Sequence, residues 1–325
     1  MTLKIGTIVS LLKKLKKGFE SMDDILQAEL KERYNAAVNS FVSKIKSDPN
    51  VIAVIVCGSL AYDLVWEKSD VDMTVVIRDQ VLKNTSYCII EDGITINVDL
   101  MVRSHFKRGL ERNLGGSFSQ SYFSKGKIVY TTDDSLYEYF EDLKNLGSDD
   151  IALSLFYKAS MLVGIYEKCQ KWLTVRKDPL YAQYFLLKAA EVIADMELCL
   201  KGEPASRESI QKALKLNPEA ITPFYQVAMS HHFSEEEISK AIESIDRYLE
   251  QHLDILKKPV IEFMSDEQVK TSTLIAKHFH VQGHFIVNIF DYLAEKGVIE
   301  KVSQTIRITP KSKMAVEELG YLYIP

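Results

Sequence analysis

Apolar positions along the chain change their period twice. "SMDDILQAELKERYNAAVNSFVSKIKSD" repeats them at helical spacing, with Ser21 or Asp23 as its cap and Pro49 beyond its end. Four runs then read as strands: "VIAVIVC", "VDMTVVI", "SYCIIE" and "ITINVDLMV". The last two are joined by Glu91-Asp92-Gly93, a hairpin signature. A helix from about Ser104 to Arg112 and a further short strand in "KIVYTTD" complete a small mixed domain. From Asp149 to about Lys257 the period is helical throughout, punctuated by Asp178-Pro179, Gly202, Pro204 and Pro218, which predicts a helical bundle.

Lys257-Lys258-Pro259 reads as a boundary, and the tail beyond it runs helix, helix, strand, turn, strand, helix. That order resembles a winged helix-turn-helix module, with a second helix of about Gln282 to Lys296. The expected fold class is therefore α+β in three domains. Residues 1–148 hold a small mixed sheet with N-terminal helices, 149–258 a helical bundle, and 259–325 the winged-helix-like tail.

Composition changes this picture little. Hydrophobic residues make up 46% and charged residues 26% of the 325, as in ordinary globular chains, and the net charge of −5 speaks against a general polyanion binder. No apolar run approaches the roughly 18 residues of a membrane span, so no membrane association is expected. Residues 7–18, with Lys13, Lys14, Lys16 and Lys17, form a basic amphipathic helix that reads as a solvated face, too interrupted for a signal peptide. Cys57, Cys88, Cys169 and Cys199 are scattered through apolar-periodic segments, which predicts buried free thiols and a cytoplasmic protein.

The candidate chemistry lies between Val54 and Ile77. Alternation along "DVDMTVV" sends Asp70 and Asp72 to one side of a strand, and two like charges so placed destabilise a fold unless a cation lies between them. Mg²⁺ suits the pair because it takes a few carboxylate oxygens and leaves positions for substrate phosphates. Gly58-Ser59 ends the preceding strand, where a tight turn with exposed N–H groups and a hydroxyl can hold phosphate oxygens. Asp99, in "INVDLMV", offers a third carboxylate, and three around one cleft suit two-metal phosphoryl or nucleotidyl transfer.

Gly-Ser, ten residues, then Asp-Val-Asp on an apolar strand resembles the nucleotidyltransferases of the DNA polymerase β superfamily. Within it the nearest likeness is to the kanamycin (aminoglycoside) nucleotidyltransferases. They share the "GSL" turn, the count to Ser69-Asp70-Val71-Asp72-Met73, and a looser match at "YEKCQKW" (Tyr166 to Trp172), over roughly residues 30 to 257. The resemblance implies that residues 1–148 are the nucleotidyltransferase domain. It also implies that Gly58 and Ser59 hold a triphosphate, and that Asp70 and Asp72 bind Mg²⁺ with Asp99 completing the cluster. Glu167 then takes the acceptor's proton, Lys171 lies near the phosphates, and two subunits share their sites as a homodimer. Glu167 and Lys171 also suit a plain surface ion pair, being four apart on a helix. The relatives carry a small residue and then arginine after the turn. Here Ala61 is followed by Tyr62 and Asp63, which removes a phosphate-binding cation and leaves Lys68 as its replacement.

The expected reaction moves a nucleoside monophosphate from an NTP, ATP by default, to a hydroxyl of a small, aminoglycoside-like molecule. The alternative is a DNA-binding regulator in which the nucleotide fold is a sensor. His284, Asn288 and Lys296 on the second tail helix, with Arg307, Lys311 and Lys313 in the wing, are the available DNA contacts. Because acids nearly cancel bases beyond Pro259, packing or dimerisation is favoured for the tail.

Overall fold

Val51–Cys57 (β1) is buried along its whole length, as an unbroken apolar run must be when both faces of its strand are covered. The computed structural model that places it describes residues 26–61, 65–106, 126–142, 148–203, 205–281, 283–309, 311 and 313–325. The expectations for residues 7–18, Tyr62 and Asp63, and most of the helix from Ser104, lie outside these. The chain divides into two compact units; among the described residues the first runs to Asp142 and the second starts at Ser148.

In the first unit β1, β2 (Val71–Ile77), β3 (Ser86–Glu91), β4 (Ile94–Val102) and β5 (Lys127–Thr131) form one mixed sheet in the order β3-β4-β2-β1-β5. All four strand runs and the later "KIVYT" segment are strands, as the sequence predicts. β1 lies antiparallel to β2 and β5, β3 antiparallel to β4, and β2 parallel to β4. The β3–β4 turn holds Asp92 at φ 50° and Gly93 at φ 77°, the left-handed pair that a two-residue hairpin requires.

One face of the sheet is apolar. The helix at residues 26–45 (α1) lays Tyr34, Ala37, Val38 and Val42 into the same core as Val71, Met73, Val75, Ile96 and Val98. α1 is also tied to the hairpin, because Ser40 and Lys44 donate to the Glu91 carboxylate at 2.5 and 2.6 Å. The Lys44 hydrogen bond holds that carboxyl below its ordinary range. Since side chains alternate and paired positions of parallel strands point the same way, Asp72, Thr74, Asn97 and Asp99 share the opposite face.

The second unit is built on two long helices, Ser148–Thr174 (α2) and Pro179–Leu200 (α3). α3 starts with Pro179 in its first turn and Asp178 as its cap, accepting from the Tyr181 N–H at 2.9 Å. Glu235–Gln251 (α4) opens with a capping box between Ser234 and Glu237. The chain does not break at Lys257-Lys258-Pro259. Pro259 sits in the first turn of a further helix, Lys258–Phe263, and Leu256, Val260 and Met264 are fully buried around it.

The tail runs β6 (Lys270–Thr271), α5 (Ser272–His278), α6 (Gly283–Glu295), β7 (Glu300–Ile306) and β8 (Val316–Leu322), with the strands antiparallel in the order β6-β8-β7. The final segment, expected to be helical, is a strand. Its backbone pairs with β7 along its length and with β6 at Gly320 and Tyr321, and its two glutamates each find partners in the neighbouring elements. Glu317 accepts from Ser303 and Thr305, and Glu318 from Ser272 and the Thr273 N–H. Tertiary pairing overrides the helix preference of "AVEEL". The helical segment and the tail also share one hydrophobic core, from Leu155 to Tyr321.

Among the described residues no helix is long and apolar enough to cross a membrane. No disulfide links the cysteines. Cys57, Cys169 and Cys199 are buried as expected, but Cys88 is exposed, because its strand β3 is the edge of the sheet.

Candidate active site

The Gly-Ser turn and the acidic strand meet because β1 and β2 are antiparallel neighbours in a register that pairs Cys57 with Asp72. The residue after Cys57 therefore lies beside the Asp72 carboxylate. Gly58 turns there with φ +64°, and a Cβ at that position would stand 2.3 Å from Asp72 Oδ2 and 3.2 Å from its Cγ. Only glycine both adopts this backbone and leaves room for the carboxylate. The chain then makes one helical turn, Gly58–Ala61, in which Gly58, Leu60 and Ala61 are buried and Ser59 is half-buried.

Asp70 is held from the other side. Tyr34 donates to the Ser69 carbonyl at 2.6 Å, and the Trp66 and Ser69 amides close the intervening turn on the Ser69 hydroxyl and the Trp66 carbonyl. The carboxylate borders a cavity of about 1070 Å³ in the first unit, whose lining includes Arg33, Tyr34, Trp66, Lys68 and Thr95. The Lys68 ammonium lies 5.8 Å from the centre of the Trp66 ring.

What joins the two acids is an amide. Asn97 pairs with Asp72 across β2 and β4, and its Nδ2 donates to Asp70 Oδ2 at 2.6 Å and to Asp72 Oδ1 at 3.3 Å. Among the described residues no ion pair engages Asp70. Two carboxylates converging on one point, with oxygen chemistry and an amide between them, fit a hard divalent cation that keeps some of its water.

Asp99 shares the face of Asp72 and Asn97 but stands further along β4. It is exposed on β4 opposite Thr74 on one side and Ser86 on the other, two positions beyond Asn97. Among the described residues no three His, Cys, Asp or Glu side chains gather as metal ligands, so the three-carboxylate cluster built with Asp99 is not formed. Asn97 takes the place beside the acid pair that was expected of Asp99. Alternation in "INVD" puts Asn97 and Asp99 on one face, so either could stand by the acid pair. Charge alone favoured Asp99, whereas the β2–β4 register, which alternation does not determine, selects Asn97.

Glu167 and Lys171 lie on α2 in the second unit, Lys171 in its last turn, where a cation suits the helix dipole. No ion pair joins them among the described residues, so the plain surface pairing is not what occupies Glu167. Partial burial raises the Glu167 carboxyl above its ordinary value, and the neighbouring Asp291 and Glu295 raise it further. That direction suits a proton acceptor working near neutral pH.

Neither a family model nor a curated protein matches this chain. Twelve chains of solved structures do. A nucleotidyltransferase-like protein from Exiguobacterium sibiricum 255-15 superposes with a TM-score of 0.64 at 17% identity, over 89% of this chain and 99% of that one. Spectinomycin adenyltransferase AAD(9) from Enterococcus faecialis, solved with ATP and spectinomycin, gives 0.33 at 11% identity, over 66% of this chain and 98% of that one. The first comparison establishes the fold, which this chain shares with the nucleotidyltransferase-like protein along nearly its whole length.

Proposed function

We propose that the chain is a Mg²⁺-dependent nucleotidyltransferase that moves a nucleoside monophosphate from an NTP, ATP by default, to a hydroxyl of a small molecule of aminoglycoside type. The observation that carries this reading is the contact between Gly58 and the Asp72 carboxylate, with Asp70 joined to it through Asn97. That arrangement places a phosphate-holding turn against a cation-holding pair. The shared fold with a nucleotidyltransferase-like protein supports it.

In this reading Asp70 and Asp72 hold the cation, while the Gly58 turn and the Ser59 hydroxyl hold phosphate oxygens. Bound there, Mg²⁺ would neutralise charge on the triphosphate as it develops. The acceptor oxygen bonds to the α-phosphorus as the bond from that phosphorus to the pyrophosphate oxygen breaks. Glu167 receives the acceptor's proton, Lys171 lies near the phosphates, and pyrophosphate leaves. Both of these roles, and a homodimer with shared sites, follow from the family resemblance.

The tail is best read as a winged helix-turn-helix module used for packing. Its second helix, α6, is spent inside its own unit: Ile286, Ile289, Phe290, Tyr292 and Leu293 are buried. Asn288 abuts Gly164, where a Cβ would stand 2.7 Å from its Nδ2, and Lys296 pairs with Asp246 and Glu250 at 3.1 and 2.6 Å. Two of the three residues that a DNA-reading helix would offer are thereby engaged; the His284 side chain lies outside the described residues.

The test is release of pyrophosphate from labelled ATP and Mg²⁺ with a panel of aminoglycosides and other hydroxyl acceptors. At least one acceptor should support release, and Asp70→Asn should abolish it. A wild-type chain that binds no nucleotide but shifts duplex DNA at physiological salt would make the regulator the better reading.

A further inference from the structure

Asn97 stands where a third carboxylate would complete the acid pair, and its amide makes contacts that a carboxylate could not. Its Nδ2 donates at 2.6 Å to Asp70 and 3.3 Å to Asp72, so in this state it offsets the repulsion of two like charges two residues apart. The same side chain carries an acceptor. A half-turn about the last side-chain torsion exchanges Nδ2 for Oδ1, which a hard cation accepts as a neutral ligand.

We infer that Asn97 is a latch on the acid pair that limits it to a single divalent cation. The latch clasps Asp70 and Asp72 when no cation is there, and turns its carbonyl oxygen inward when one arrives. The inference rests on the proposed role of the pair, and charge supports it. Asp70 and Asp72 supply two negative charges, which balance one divalent ion. Two such ions would leave the site positive until a triphosphate came. Asp99, the acid that could make up the difference, lies two positions further along β4, paired in register with Thr74 and Ser86. The position is fixed by the parallel pairing of β2 with β4, so a carboxylate substituted at residue 97 would sit by the pair without moving the backbone.

The latch also gives a reason for asparagine, and not a carboxylate, at this position of β4. An aspartate there would bring three negative charges together above a backbone that has no room to spare at Gly58. The fold would then need the ion in order to be stable. With asparagine it is stable alone and takes the ion when nucleotide and Mg²⁺ arrive, an arrangement that keeps affinity for the free cation modest.

Mn²⁺ titration of the full-length chain without nucleotide, followed by electron paramagnetic resonance, tests this, with Asp70→Asn subtracting ions bound elsewhere. Wild type should show one site. Asn97→Asp should bind Mn²⁺ about tenfold tighter or more, because ligand charge tunes affinity. Its melting temperature should fall in chelator and recover with Mn²⁺. Asn97→Ala, which removes the clasp without adding charge, should melt lower in chelator and keep one site. Two sites in the wild type, or an Asn97→Asp chain that binds no tighter and melts alike with and without Mn²⁺, would overturn the latch alone. If Asn97→Asp does not fold, Asn97→Ala decides: an unchanged melting temperature in chelator overturns the latch. Failure of wild type and Asn97→Asp alike to bind Mn²⁺ would remove the cation reading of the pair as well.

Discussion

Gly58→Ala is expected to cost the first unit about 3 kcal/mol and to abolish cation binding at the acid pair. Two effects add. A left-handed backbone costs an ordinary L-residue about 1–2 kcal/mol, and Gly58 has φ +64°. The new methyl would then stand 2.3 Å from Asp72 Oδ2, and the Asp72 Cγ and Cβ lie only 3.2 and 3.3 Å away. Asp72 cannot retreat as a whole, because its backbone is locked between Cys57 on β1 and Asn97 on β4. Its carboxylate must swing away, which takes it off the point it shares with Asp70. Denaturant unfolding reads the first effect and Mn²⁺ binding the second. The cause is separable by a cycle: in an Asp72→Ala background, Gly58→Ala should cost at least about 1 kcal/mol less. Strict additivity would mean that the glycine serves the turn and not the carboxylate.

The second large effect falls on Asp72→Asn. Replacing a charged ligand by a neutral one of the same shape should lower pyrophosphate release by about a hundred- to a thousandfold, the scale of removing one preorganised electrostatic partner of a transition state. Folding should not suffer. Asp72 and Asp70 repel each other, so the substitution should leave the melting temperature in chelator unchanged or raise it. A chain that is as stable as wild type and inactive is the signature of a residue kept for chemistry. Transfer retained within about threefold would remove Asp72 from the cation site.

Much of this site could be read from local pattern. The Gly-Ser turn and the Asp-Val-Asp strand are short-range features, and an unbroken apolar run before them predicts the buried strand that positions both. The hairpin at Asp92-Gly93 follows from turn chemistry that a two-residue connection demands. Pairing partners are a different matter. Whether Asn97 or Asp99 stands by the acid pair depends on how two strands far apart in sequence are offset, and a shift of two residues preserves the same alternation. The same limit applies at the end of the chain. Val316–Leu322 has helix-forming residues, and only the presence of β6 and β7 on its two edges makes it a strand. Lys257-Lys258-Pro259 misleads for a local reason: proline disrupts the interior of a helix but is well placed in the first turn of the next one.

Glu167 shows how neighbours distant in sequence alter a residue's chemistry. Four residues from Lys171 on one helix, it invites an ion pair, yet the acids that shape it are Asp291 and Glu295 from α6. These come from the tail, more than a hundred residues later, and together with burial they favour the protonated form. The tail thus bears on a candidate proton acceptor through the charge of its acids.

The most direct measurement is a crystal of the full-length chain grown with Mn²⁺ and a non-hydrolysable ATP analogue, with the manganese located by its anomalous scattering. The predicted result is one peak about 2.1–2.2 Å from an oxygen of both Asp70 and Asp72, with the triphosphate lying along Gly58 and Ser59. An analogue bound with its phosphates away from that turn, or manganese bound only at other carboxylates, would contradict it.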